Sequence, residues 1–435
     1  MAAEGRFAPP RAGLNHVLAY GQSLSTGWEG WPALSTAPIA GALMLGDSVR
    51  PASECAPEWD CVGPARLRPL AATVQNFTTG AVLNPAEIAA LPAGAPNLGE
   101  TVLEGAVAEY IARRGPDADQ YLLASACGVG GRSLEELSRG ASPELFNRLR
   151  GCVRGARDAA ASWGMGYGSM ALLFLQGENN SRGLGGTADR ADYKALLRRF
   201  HGDVAADIAA SAAGQTLPPA MFLYQTGGAY ASPDNAVAQA QLEAALELPG
   251  CFLAAPSYPV TDKGGHLDAN GYRWLGAQFG KAMHRVLCQG EAWRPLHPIS
   301  ASVDGDVVRA RFHVPVPPLA WGRPFVGLAR ADPPMLGFVL QDEIGPIPLR
   351  EVTIEGEDSV RLTPARPPGA GATLRYADAG VGGIGCLHDS DPSLAATCFQ
   401  PEAARGVGPD IAALAGRPYP LHNWCVAFVI PVRPG

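Results

Sequence analysis

No apolar run in the chain approaches the length that crosses a bilayer, so no membrane-spanning helix is expected. Basic clusters are also missing. The 34 Lys and Arg are outnumbered by 41 Asp and Glu, and the net charge of −7 argues against a nucleic-acid partner. Cys-x-x-Cys pairs do not occur. His388 near Cys386 is then a poor start for a zinc site, and no metal or organic cofactor is expected. The opening stretch, residues 1–14, carries Arg6, Pro9, Pro10 and Arg11 but no apolar centre, unlike a secretory leader. The default compartment is therefore cytoplasmic, with export open to a chain whose leader has been removed. There is no repeat of fixed period and no low-complexity linker.

Cysteine is sparse and odd in number. With nine, at least one has no partner within the chain. Cys127, Cys152 and Cys251 sit in apolar surroundings, as reduced core thiols do. Cys55 with Cys61, and Cys386 with Cys398, lie in loop-like segments, and either pair can close a small loop; spacing alone does not decide it.

What the chain does have is length and alternation. Its 435 residues, 47% of them hydrophobic, allow a large core and more than one domain. Strand-like apolar segments at 17–20, 121–126, 169–175, 220–225 and 251–255 alternate with helical ones at 100–114, 143–163, 191–212, 236–246 and 272–287. That order predicts a parallel sheet covered on both faces, a three-layer α/β unit over residues 1–292. Residues 46–97, rich in Pro, Gly and Ala, interrupt it as a loop insertion near the site. Beyond residue 293 short alternating segments at 307–314, 352–354, 359–362, 373–376 and 426–430 predict a second, all-β, sandwich-like domain over 293–435, with helix only at 411–414.

Four turns each follow a predicted strand. Gly21-Gln22-Ser23 ends the first and lifts one hydroxyl. Gly128-Val129-Gly130-Gly131-Arg132-Ser133 follows the second, where glycines let backbone N–H groups approach a ligand. Gln176-Gly177-Glu178-Asn179-Asn180 follows the third, where an amide can face a developing oxyanion. Asp262-Lys263-Gly264-Gly265-His266-Leu267-Asp268 precedes the last helix and brings an imidazole with two candidate carboxylates. Each turn alone has a plain reading: Ser23 as a helix N-cap, the glycines as a tight turn, the asparagines as turn formers, His266 as a structural histidine. Parallel sheets gather sites at the carboxyl ends of their strands, which puts all four at one rim.

In that order the blocks resemble the SGNH (GDSL-type) hydrolases, and within them the sialate O-acetylesterase-like carbohydrate esterases, which open on Gly-Gln-Ser and carry Gln-Gly-Glu in the third block. Pro96-Asn97-Leu98-Gly99-Glu100 and Ala238-Gln239 add to the likeness. It covers most of residues 14–287. Gly337-Phe338 and Leu374-Arg375-Tyr376-Ala377 are more weakly similar to the β domain some of these esterases carry. The resemblance implies a flavodoxin-like sheet. It makes Ser23 the nucleophile and His266 the base, with an oxyanion hole of the Ser23 N–H, the Gly131 N–H and the Asn179 side chain. Gln22, Arg132, Gln176 and Glu178 are the expected substrate contacts. The family sets its acid three residues before the histidine, where this chain has Lys263. Asp262, one residue back, is expected to reach the imidazole across a bulge; Asp268 is the weaker candidate, and a backbone carbonyl leaving a Ser–His dyad the alternative. The Gly-x-Ser-x-Gly elbow of α/β-hydrolases is excluded by Ser25.

The expected reaction is hydrolysis of small acyl esters through an acyl-enzyme. Acetyl on carbohydrate is the substrate the likeness implies. Trp28 and Trp31 can stack on a sugar ring, and Arg132 and Arg182 can meet an acidic one. A general carboxylesterase or lipase on other esters, and a non-catalytic carbohydrate-binding protein of the same fold, are the alternatives. The oligomeric state is not legible.

Overall fold

A computed structural model describes residues 7–92 and 94–435. Met1–Arg6, part of the stretch read for a leader, lie outside the described residues. Seven strands form the first sheet: β1 (Gly13–Gly21), β2 (Ala42–Leu45), β3 (Leu67–Pro69), β4 (Gln120–Ala126), β5 (Tyr167–Leu175), β6 (Ala220–Gln225) and β7 (Cys251–Pro256). Their spatial order is β3-β2-β4-β1-β5-β6-β7, parallel except for the antiparallel edge strand β3. The helices are α1 (Val102–Arg114), α2 (Asn147–Ser162), α3 (Arg190–Asp203), α4 (Ala236–Glu247) and α5 (Ala269–Leu287).

The period of two sorts β1 between two cores. Val17 and Ala19 face α1 and α5, whereas Leu14, Leu18 and Tyr20 face α2, α3 and α4. Both faces are dry, which is why these strands read as continuous apolar runs. The α1–α5 layer is tight because of Gly276: a β-carbon there would lie 2.4 Å from the Val102 carbonyl oxygen. A capping box of Thr101 and Glu104 starts α1, and the Asp268 side chain caps α5.

The C-terminal part is a separate β-rich body. β8 (His297–Asp304), β9 (Val307–His313), β10 (Phe338–Asp342), β11 (Gly345–Ile347), β12 (Leu349–Glu355), β13 (Ser359–Pro364), β14 (Thr373–Tyr376) and β15 (Phe428–Pro434) form one sheet in the order β11-β10-β14-β15-β8-β9-β13-β12. β15 joins the two halves: Phe428–Pro431 pair with β14, and Val432–Pro434 pair with β8. The halves share a core, with Phe312 and Phe428 rings 6.0 Å apart.

Other expectations are corrected. Strand β2 has no signature in the sequence, because four residues before an irregular stretch carry no periodicity, and the insertion at 46–97 itself supplies β3. The helix expected at 143–163 starts only at Asn147, and the one expected at 191–212 becomes a π-helix after Asp203. Residues 390–421 leave the β body and pack on α1 and α5: Trp274 donates its indole N–H to Pro420 O at 2.8 Å, and buried Lys281 meets Asp391 at 3.0 Å. All nine thiols are free, those of Cys55, Cys61, Cys386 and Cys398 included.

Candidate active site

Strand order reverses around β1: its hydrogen-bonded neighbours are β4 on one side and β5 on the other. The crevice at the carboxyl ends of these strands is where α/β sheets bind ligands. Ser23 stands there at the start of a single helical turn, Ser23–Thr26. The turn is sharp because Gly21 has φ of +141°, and a β-carbon on it would fall 1.9 Å from the Leu175 carbonyl oxygen. His266 is carried by the loop between β7 and α5.

The side chains meet. Ser23 Oγ and His266 Nε2 are 2.8 Å apart. On the far side of the ring, His266 Nδ1 is 3.2 Å from Glu29 Oε2. The hydrogen bond from the imidazole holds the Glu29 carboxyl below its ordinary pKa, against the opposing effect of burial. A carboxylate there can accept a proton held on Nδ1, the tautomer in which Nε2 is free to accept from the serine hydroxyl.

Asp262 does not face the imidazole. Its Oδ1 accepts from the Gly264 N–H at 2.6 Å, because Gly264 and Gly265 turn the loop back on itself. Asp268 is occupied too, accepting from Thr261 Oγ1 at 2.7 Å and from the Gly271 N–H at 2.7 Å, and pairing with Arg405 at 2.5 Å. Lys263 fills the position where the family pattern sets its acid. Its ammonium donates to the backbone oxygens of Glu29 at 2.9 Å and Trp31 at 2.8 Å. The cation therefore clamps the loop that delivers the replacement carboxylate. Only the proximity of Glu29 to Ser23 in sequence could have signalled it.

A cavity of about 300 Å³ opens over Ser23. Gly131, Asn179, Glu178, Gln22 and His266 reach it, along with Trp28, Phe77, Leu184, Tyr230 and Glu54. Among the described residues, neither the Ser23 and Gly131 N–H groups nor the Asn179 side-chain amide has a hydrogen-bond acceptor. The Gly130 N–H is taken by Glu54 Oε1 at 3.2 Å. Gln22 Oε1 instead accepts from the Asn179 backbone N–H at 3.1 Å and ties the first turn to the third. Gln176 is fully buried, donating to Asn180 Oδ1 at 2.7 Å and accepting from the Tyr193 hydroxyl at 2.7 Å. Arg132 turns to Glu136 at 2.8 Å, and Arg182 donates to Ala229 O at 2.6 Å. Of the expected substrate contacts, Gln176 and Arg132 are therefore internal or turned away. Trp28 walls the cavity, while Trp31 donates to Ala95 O at 3.0 Å and lies under Lys263.

No protein-family profile and no curated protein matches the chain. Solved structures do. A carbohydrate acetylesterase from Xanthomonas citri has TM-score 0.58 at 14% identity, over 96% of this chain and 80% of that one. A protein from Arabidopsis thaliana has TM-score 0.42 at 18% identity, over 64% of this chain and 100% of its own. An aryl esterase from M. smegmatis has TM-score 0.32 at 13% identity, over 64% of this chain and 100% of its own. The first likeness, spanning both bodies, is one of fold.

Proposed function

We propose that this protein is a serine ester hydrolase of the SGNH type that removes small acyl groups, acetyl first among them, from carbohydrate. The observation that carries the reading is the contact of Ser23 Oγ with His266 Nε2 at 2.8 Å, backed by Glu29 on Nδ1 at 3.2 Å. His266 takes the hydroxyl proton as Ser23 attacks the ester carbonyl. The Ser23 and Gly131 N–H groups and the Asn179 amide are the donors for the tetrahedral oxyanion. His266 then gives its proton to the departing alcohol, and water repeats the sequence on the acyl-enzyme. Glu29, rather than Asp262, orients the ring. The fold shared with a carbohydrate acetylesterase supports the sugar ester as substrate. Aromatic walls from Trp28 and Tyr230 suit a sugar ring's C–H face.

Ser23→Ala and His266→Ala are each expected to lower kcat on aryl acetates and acetylated sugars by about a thousandfold or more. Wild-type turnover in Ser23→Ala with the fold intact, checked by circular dichroism, would reject the assignment.

A further inference from the structure

The charge of the cavity narrows the alcohol half of the substrate, and this step rests on the esterase reading above. Glu54 and Glu178 both reach the cavity and are 6% and 2% exposed. Glu178 Oε1 accepts from the Tyr224 hydroxyl, while its Oε2 is buried without any partner among the described residues. Glu29 adds a third carboxylate behind the imidazole.

Nothing positive answers them from the ligand's side. No Lys or Arg lines the cavity among the described residues. Arg132 is bound to Glu136, Arg182 to the Ala229 carbonyl, and Lys263 to the Glu29 and Trp31 carbonyls. Arg148 offsets part of the Glu54 charge, but it is fully buried and fixed to the carbonyl oxygens of Cys127, Glu54 and Ala56 at 2.9, 3.0 and 2.8 Å. A ligand carboxylate would enter beside acids with no cation free to meet it. A neutral sugar, by contrast, brings hydroxyl donors to the carboxylates and C–H faces to Trp28 and Tyr230.

We propose that the site is selective for esters of neutral sugars and rejects those of acidic sugars such as uronates and sialates, with Glu54 and Glu178 as the specificity-determining residues.

The test compares acetylated methyl glucoside with acetylated methyl glucuronide, equal in size and acyl group and different in charge. Burial raises both carboxyls, that of Glu54 to about 7, so the esters are compared at pH 8.5; at low salt kcat/KM is then expected to favour the neutral ester by about tenfold or more, and the ratio to shrink in 0.5 M salt. Glu54→Gln, Glu178→Gln and the rim substitution Leu184→Lys are each expected to narrow that ratio by about threefold or more. The ratio is read within each variant, so differences in folded fraction cancel. Equal or faster cleavage of the glucuronide, or ratios unmoved in all three variants, overturns the proposal while leaving the esterase reading intact. Turnover that survives Ser23→Ala overturns the esterase reading instead. Calorimetric binding of the same two esters to the Ser23→Ala protein needs no turnover: tighter binding of the glucoside supports the charge assignment, and equal or weaker binding contradicts it.

Discussion

Glu29 has φ of 62°, a left-handed backbone that a residue with a β-carbon adopts at a cost of about 1–3 kcal/mol. The strain persists because Lys263 holds the Glu29 carbonyl, and its result is a carboxylate at the imidazole. Glu29→Gln, which keeps the shape and loses the anion, is expected to lower kcat by about 10²–10⁴ with KM little changed. Asp262→Asn is expected to stay within about threefold of the parent, since that carboxylate bonds the Gly264 N–H. Steady-state kinetics on an aryl acetate separates them, and the reverse ranking would restore Asp262 as the acid. Glu54 makes a different prediction. Burial pushes its carboxyl up to about 7, against the lowering effects of Arg148, the Gly130 N–H and Arg50. A carboxyl whose pKa is higher folded than unfolded binds its proton more tightly in the folded state. Its contribution to stability therefore falls as pH rises from about 4.5 through about 7. Glu54→Gln removes that slope, so its unfolding free energy relative to the parent is expected to rise by about 3 kcal/mol between pH 4 and pH 8 in urea titrations.

At the scale of elements, four strand ends and the loops after them line the candidate site, and the C-terminal chain supports one of these loops. Arg405 pairs with Asp268 at 2.5 Å and donates to the Asp262 carbonyl at 2.6 Å, bracing both ends of the His266 loop. Arg405→Ala is expected to lower kcat by about tenfold with a smaller change in KM, and to broaden the His266 ring signals in NMR spectra. Unchanged kinetics would show that the loop holds without the brace. The four site turns were legible because glycine, serine, asparagine and histidine sit directly after apolar runs. Glu29 was not: a carboxylate reaching back from a positive-φ turn leaves no spacing signature. Nor could residue types tell that Gln176 serves inside the protein, since a glutamine at a strand end reads the same whether it meets a ligand or a neighbouring loop.

For the whole molecule, two bodies are joined through residues that neither periodicity nor composition marks. Lys281 on α5 is fully buried and donates to Asp391 Oδ2 at 3.0 Å, Asn423 Oδ1 at 2.8 Å and the Leu421 carbonyl. The sequence separations, 110 residues and more, explain why this junction was invisible beforehand. Lys281→Met leaves the Asp391 charge buried without its cation and is expected to cost about 3–5 kcal/mol in denaturant unfolding. Lys281→Met combined with Asp391→Leu is expected to recover most of that loss. A single variant as stable as the parent would contradict the junction. The alternating α/β pattern and the change to a β-rich C-terminal part were readable, because dry two-sided strands and half-exposed strands differ in period. The joining of the C-terminal strands through β15 and the return of residues 390–421 to the helices depend on long-range pairing and were not.

The central claim is that the Ser23 hydroxyl is a nucleophile activated by His266. Treating the protein with an aryl organophosphonate and mapping the adduct by peptide mass spectrometry tests it most directly. One adduct on Ser23, formed in step with loss of esterase activity and strongly slowed in His266→Ala, is the predicted result. Full inactivation with the label on another residue, or hydrolysis that continues with Ser23 fully labelled, would contradict it.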